Sequence, residues 1–336
     1  MISRTFRNIF ISILTAFLML SFSGCGKEDP VPEEIVPETE EIGLPSYRFE
    51  FDPHVISKEY LSLYGNGIEA EFYAFCDTIL EGRDSFSCSS KERFHQLLGI
   101  SMSCFPIASE LIDRENVSVE NGVCHLSYRY DESQRKEMIS SFQKKVSDVI
   151  SSAIPYETSD EIKAIELYTA VCRKDTYDES YTLEDSLKLR PYRVIMEDIG
   201  ICQEIAGEYI YYLLQVGIDA ITCSALSRDQ SDAHEWVLAN LNGHWYHMDP
   251  TYGTQYPDSL FFFGMDDVQR EYYGDYPPEN FVYMNADVPN KSKYAATDRT
   301  YVKYWLAERY EIDHSNKKIS VWEIDTGDRY DYEIEE

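Results

Sequence analysis

A thiol, an imidazole and a carboxylate occur in that order along one short stretch: Cys202 after Gly200-Ile201, His234 before Glu235-Trp236, and Asp249 before Pro250-Thr251. Together these side chains can run nucleophilic acyl transfer, in which a thiolate attacks, an imidazole carries the proton and a carboxylate holds the imidazole in one tautomer. Taken singly, each has a plainer explanation. A lone buried cysteine is usually a small hydrophobe, and a lone histidine a satisfied polar group. Whether the three can act together depends on the elements that carry them.

Ile205, Ala206, Tyr209, Ile210, Leu213 and Val216 recur at helical spacing between Gly200 and Gly217, which predicts a helix over 202–216. Cys202 then lies at its N-terminus, where unpaired backbone N–H groups and the macrodipole favour an anion and hence a thiolate. Gly200 would let substrate approach the backbone closely. Ile218 to Leu226 reads as a strand, followed by a polar loop from Ser227 to Asp232. Asn242-Gly243 between two apolar runs predicts a two-residue hairpin turn. Pairing Leu241 with His244 sets Trp236 opposite Asp249 and His234 opposite Thr251. His234 and Asp249 become diagonal neighbours on one face, roughly 7–8 Å apart at the backbone and within side-chain reach. The nucleophile helix is expected against that same face. His247 also shares it, but two residues before Asp249 on one strand it points alongside the carboxylate and reads as structural. His244 falls on the opposite face.

Three motifs, Gly200-x-Cys202-Gln203, His234-x-Trp236 and Trp245-Tyr246-His247-Met248-Asp249-Pro250-Thr251-Tyr252, resemble those of the transglutaminase-like superfamily. Upstream, Ala164-Ile165-Glu166-Leu167-Tyr168 and Tyr177-Asp178 resemble the helix and Tyr-Asp step of bacterial members, although Thr169-Ala170-Val171-Cys172 lacks the helix's usual tryptophan. Downstream, Leu260-Phe261-Phe262-Phe263 followed by Met265-Asp266-Asp267 looks like the family's aromatic strand. The resemblance covers about residues 135–275. It implies an α+β fold with a transglutaminase-like (papain-like) core, its nucleophile helix packed on an antiparallel sheet, preceded by a mostly helical N-terminal module.

By this resemblance Cys202 is the nucleophile, His234 the base and Asp249 the orienting acid. The backbone N–H of Cys202 would serve the oxyanion, with a second donor unassigned. Gln203 is a candidate by adjacency, and Trp236 would cover the His–Asp pair from water. The implied substrate is an amide of a protein or peptide, attacked through a thioester with no cofactor. Water resolving that thioester gives peptidase-type hydrolysis, the favoured reading; an amine gives transglutamination. A catalytically silent cell-surface peptide-binding module is the rival from another class, disfavoured because a retired site need not keep its thiol.

At the N-terminus, Arg4 and Arg7 precede an apolar run from Ile9 to Phe22 that ends in Ser23-Gly24-Cys25. This reads as a lipoprotein signal peptide over 1–24 with Cys25 as the lipidated residue, although Phe22 stands where leucine is usual. Residues 25–46 alternate prolines with acidic residues and read as a stiff, solvated tether. The expected location is the extracytoplasmic face of a bacterial membrane, with cell-envelope peptide or protein as the substrate.

The remaining chain divides into a helical module over 47–130, the catalytic core over 131–275, and a Tyr-rich acidic extension over 276–336. Helical patterns span Glu59 to Leu80, Ser90 to Leu111 and Gln134 to Ile154, with a strand at Cys124 to Tyr130 and a last hairpin pairing 319–324 with 329–334. Thr158-x-x-Glu161 reads as a capping box. Sixty acidic against thirty basic residues give a net charge of −30, which repels nucleic acid and anionic headgroups. The sequence has no calcium-binding loop and no zinc spacing, so no metal is expected. Cys76, Cys88, Cys104 and Cys124 could pair as disulfides outside the cytoplasm, whereas Cys223 reads as buried and free. The twenty-seven tyrosines mostly read as core, with Tyr209, Tyr211, Tyr212, Tyr272, Tyr273 and Tyr276 as candidates for a binding surface.

Overall fold

The computed structural model describes residues 44–180 and 191–334. The signal segment, Cys25 and the tether up to residue 43 lie outside the described residues. From Leu44 onward the chain packs as one compact unit.

In the N-terminal module each long helical pattern is cut where the backbone demands it. Gly65 and Gly67, both at positive φ, separate α1 (Lys58–Tyr64) from α2 (Ile68–Leu80). Phe105-Pro106 separates α3 (Lys91–Cys104) from α4 (Ile107–Leu111), because proline lacks an N–H and disfavours helix in the residue before it. The strand expected over 124–130 is shorter. Strand β3 (Val123–His125) pairs with β1 (Ser85–Ser87) and β2 (Ser118–Glu120), and beyond it only a single bridge joins Tyr128 to Ile112.

Helix α5 (Glu132–Ala153) starts at a reciprocal capping box between Asp131 and Gln134. The next helix, α6 (Asp160–Lys174), is capped by Ser159, whose hydroxyl accepts the Ile162 N–H, rather than by Thr158. Strands β4 (Thr176–Tyr177) and β5 (Ile199–Gly200) pair in parallel, setting Tyr177 beside Gly200, with α7 (Pro191–Glu197) leading into β5.

Helix α8 (Cys202–Gln215) opens on the candidate nucleophile as expected. The main sheet has the order β8-β7-β6-β9, formed by β6 (Ala220–Leu226), β7 (Ala233–Leu241), β8 (His244–Met248) and β9 (Val282–Tyr283), all antiparallel. Asn242 (φ 53) and Gly243 (φ 84) make the two left-handed steps of the hairpin turn, and Leu241 pairs with His244. The ladder stops at Val237↔Met248. Asp249 then leaves the strand to cap α9 (Pro250–Gly253), so Thr251 is helical and does not oppose His234; Pro250, lacking an N–H, suits the first helical turn.

Helix α8, which carries Cys202, packs on the face opposite to the expected one. Met248 pairs with Val237 and shares its face, and the Tyr209 hydroxyl of α8 reaches Met248 Sδ at 3.3 Å. Trp236 and His247, on the other face, are covered by the segment after residue 260. The reason is alternation: successive side chains of β7 point to opposite faces, and the apolar set Val237 and Ala239 faces the helix. Cys202 meets His234 near the end of the sheet, where the β6–β7 ladder runs only one pair beyond it, to Leu226↔Ala233.

Leu260–Phe263 is a run of turns and not the aromatic strand expected. It still follows β8, since Asp249 N–H donates to Phe262 O at 2.9 Å and His247 and Met265 exchange backbone bonds. Helix α10 (Asp267–Gly274) follows. The C-terminal hairpin, β11 (Lys318–Glu323) with β12 (Arg329–Glu333), gains a third strand, β10 (Ala307–Asp313), which the sequence pattern did not reveal.

One core runs continuously from Val55 to Val321. Tyr209, Tyr211 and Tyr212 are fully buried in it and form no surface. The seven cysteines among the described residues are all buried and unbridged, Cys76, Cys88, Cys104 and Cys124 included.

Candidate active site

Asp249 is fixed from several sides. Its Oδ1 accepts the Tyr252 N–H at 3.2 Å, capping α9. Gly253, in the same turn, lies so close to Tyr168 and Cys172 of α6 that a Cβ there would collide with both. The other oxygen, Oδ2, meets His234 Nε2 at 2.8 Å. With Nε2 so engaged, the remaining ring nitrogen, Nδ1, is left for the Cys202 thiol, which lines the same cleft and acts on the charge of His234. Thus the structure brings Cys202, His234 and Asp249 together.

Burial by itself would lower the pKa of His234, but the Asp249 carboxylate, and after it Cys202, hold it well above the ordinary histidine value. Burial likewise would raise Asp249, but the charges of His234 and Arg270 keep it below the usual carboxylate range. Each side chain thus favours the charged form of the other.

Sequence reasoning missed the cation beneath this pair. Arg270 of α10 is fully buried, and its Nη2 lies 3.2 Å from Asp249 Oδ2. No directed hydrogen bond satisfies its nitrogens among the described residues, so the contact is charge against charge. Its guanidinium rests instead on aromatic faces, 4.1 Å from Trp236, 4.9 Å from Tyr276 and 5.3 Å from Tyr252. Nothing in the local pattern of α10 marks this arginine as buried.

Trp236 lies beneath His234, ring centroids 5.8 Å apart. Its indole N–H donates to His247 Nδ1 at 2.8 Å, and His247 Nε2 meets Asp267 at 2.9 Å. Burial lowers the pKa of His247, leaving a neutral ring that accepts from Trp236 and donates to Asp267. That is the structural role expected of it. Tyr252 stacks on His234 at 4.8 Å, and Tyr276 lies 5.7 Å from it while donating to Asp232 at 2.8 Å. Tyr276 thus belongs to the site's wall and not to an exposed cluster, whereas Tyr272 is 72% exposed.

The first turn of α8 is braced from outside. Glu204 accepts the Ile201 N–H at 3.2 Å, and Arg193 bridges Glu204 (2.6 Å) to Asp178 (2.7 Å). This ties the Tyr177-Asp178 step to the start of the helix that carries Cys202. Burial first, and then the charge of Cys202, push the Tyr177 phenol up to about 12, so it stays a hydroxyl.

Cys202, Gln203 and His234 line an open cleft of about 390 Å³ with Leu226, Glu235 and Asn285. A second cavity of about 590 Å³ shares Gln203, Glu235 and Asn285 and extends to Tyr60, Tyr64 and Met102 of the N-terminal helices. Glu235 is buried, and burial outweighs its bond from Asn285, pushing its carboxyl up to about 7. A larger hollow of about 720 Å³, between α5, α6 and β10, contains none of the three candidate catalytic residues.

Comparison with known families places this geometry. Residues 148–250 match the transglutaminase-like superfamily. They form a transglutaminase-like domain. Its span contains α8, the hairpin and all three candidate residues. Among solved structures the chain is similar to a TGase, at 11% identity and a TM-score of 0.30 over 40% of this chain and 43% of that one. It is also similar to a candidate cysteine protease from Cytophaga hutchinsonii, at 14% identity and a TM-score of 0.27 over 40% of this chain and 61% of that one. Each is thus spanned over less than two thirds of its length. No curated protein matches. The fold is α+β, with helices packed on the antiparallel sheet β8-β7-β6-β9.

Proposed function

We propose that this protein is a cysteine enzyme that attacks an amide of a protein or peptide through a thioester, held by lipid at Cys25 on the outer face of a bacterial membrane. One observation carries the chemistry: His234 is gripped on Nε2 by Asp249 at 2.8 Å and lines an open cleft together with Cys202. Cys202 Sγ attacks the amide carbon as the thiolate, its proton already held by His234. The backbone N–H of Cys202 and the Tyr177 hydroxyl serve the oxyanion. The C–N bond then breaks, His234 returns the proton to the departing amine, and a thioester remains. Water, losing its proton to His234, attacks the thioester, the C–S bond breaks, and the acid leaves. Hydrolysis is the preferred reading. Transfer to an amine uses the same thioester and is the alternative.

Iodoacetamide labelling of the full chain, read at Cys202 by mass spectrometry against buried Cys223, tests the nucleophile. Cys202 is expected to label far faster, and His234→Ala to slow it. Equal labelling of the two cysteines would instead favour a silent peptide-binding module. The anchor is tested separately by labelled fatty acid, which should enter the native chain and be absent from Cys25→Ser.

A further inference from the structure

The two oxygens of Asp249 have different tasks. Oδ1 accepts the Tyr252 N–H and caps α9. Oδ2 faces the base, and it is shared: His234 Nε2 lies 2.8 Å from it and Arg270 Nη2 3.2 Å from it. An imidazolium and a guanidinium thus compete for one carboxylate oxygen. The competitor is fixed in place. Arg270 is fully buried, and the rings that hold it, Trp236 at 4.1 Å, Tyr276 at 4.9 Å and Tyr252 at 5.3 Å, are the same three that stack on His234, at 5.8, 5.7 and 4.8 Å. No nitrogen of its guanidinium has a directed hydrogen bond among the described residues. A buried arginine kept for stability alone is expected to fill its fork of donors, since unpaired ones are costly. This one is set instead against the oxygen that the base uses.

The consequence lies in the second half of the reaction. During attack a protonated His234 is an asset, because it stabilises the thiolate and then supplies the proton of the departing amine. In the thioester the charge of Cys202 is gone, and His234 must be neutral to take the proton of the attacking water. A carboxylate given wholly to the imidazole would keep that ring protonated. Arg270 draws part of the carboxylate's charge to itself, and its own charge opposes a second positive one beside it.

The other titratable groups around the pair leave this balance to Arg270. Tyr252 and Tyr276 turn ring faces to His234, and Asp232 accepts from the Tyr276 hydroxyl. Tyr168 and Cys172 approach Asp249 from α6, and Cys223 of β6 lies near Arg270; burial pushes all three up, so they stay neutral. Glu235, next along β7, points to the opposite face from His234 with its carboxyl pushed up to about 7. At the start of α10, Asp267 is bonded to His247 and Asp266 is paired with Arg299.

We propose that Arg270 is a positioning residue for hydrolysis of the thioester: by sharing Asp249 Oδ2 it loosens that carboxylate's hold on the imidazolium and leaves His234 able to take the proton of the attacking water. The proposal rests on the reading of Cys202 as a nucleophile that passes through a thioester.

Ring-nitrogen NMR of the full chain tests it without a substrate. Cys202→Ala removes the charge of the thiol, as the thioester does. In that background Arg270→Met should raise the pH at which His234 titrates by about one unit. A fall would show that Asp249 had lost its support and released His234, and an unmoved midpoint would show that the shared oxygen sets no balance; either overturns the proposal. If the methionine variant fails to fold, Cys202→Ala alone suffices. The side-chain nitrogen signals of Arg270 should move with the His234 titration, and signals that stay flat through it overturn the proposal. A reaction supplies the readout that a structural role would not move. With p-nitrophenyl acetate, p-nitrophenolate leaves as the acetyl group joins Cys202 Sγ, and water then releases acetic acid. In Arg270→Met the acid limb of that hydrolysis should move to higher pH, slowing it about tenfold below the native midpoint, while the p-nitrophenolate burst is slowed far less. Equal slowing of both steps overturns the proposal. The nucleophile reading fails separately, if mass spectrometry finds no acetyl group on Cys202 of the native chain, whatever the titrations show.

Discussion

Arg270 places its Nη2 3.2 Å from Asp249 Oδ2 with both side chains fully buried. Aromatic faces, and not hydrogen bonds, hold the guanidinium there. Removing it leaves a buried carboxylate with one cation fewer. Arg270→Met should therefore destabilise the fold by about 3–5 kcal/mol in denaturant titration. Arg270→Lys should rescue little, because an ammonium cannot stack flat on Trp236. Full stability in the lysine variant would show that charge alone suffices.

Asp249 also sets the protonation of His234. A histidine held above its ordinary value contributes stability that is complete below that value and lost as pH rises through the folded one. Asp249→Asn removes the raising charge and lets burial win. Ring-nitrogen NMR should then show His234 titrating at lower pH than in the native chain. An unmoved titration would assign the shift to another neighbour.

Tyr177 is argued to serve the oxyanion, which exists only during acyl transfer. Tyr177→Phe should slow acylation by p-nitrophenyl acetate about a hundredfold, while iodoacetamide labelling of Cys202, which builds no oxyanion, stays unchanged. Equal loss in both assays would make the tyrosine a structural support.

His247 competes with His234 in sequence, and the structure makes it the acceptor for Trp236. His247→Ala strands the indole N–H, at a cost of about 1–3 kcal/mol, and should lower the melting temperature while leaving Cys202 labelling intact. Loss of labelling without loss of stability would reverse the two roles.

Glu235, raised to about 7 by burial, binds a proton in the folded chain that the unfolded chain has released. Folding stability should then fall as pH rises from the ordinary carboxyl range to about 7. Glu235→Gln should remove this dependence and stabilise the chain by about 1–3 kcal/mol at alkaline pH, with the gain vanishing in acid. A denaturant series across pH measures it.

The parts of this molecule legible in its sequence are the local ones. The period of Ile205, Tyr209 and Leu213 marks the nucleophile helix, and Asn242-Gly243 specifies a turn whose two positive φ values set the hairpin register. From that register alone His234 and Asp249 become neighbours, because a two-residue turn leaves the strands one way to pair. Where the register ends was not legible: Asp249 leaves the strand to cap a helix, and the competition between ladder and cap depends on Gly253 fitting against Tyr168 and Cys172. Likewise, the face taken by the nucleophile helix, the irregular path of Leu260–Phe263, and the placing of Arg270, Tyr177 and Tyr276 around the site were decided only in three dimensions. Periodicity reports which residues share a face of their own element. It carries no information on what another element brings to that face, and the burial and charge that perturb His234, Asp249 and Glu235 are supplied by those other elements.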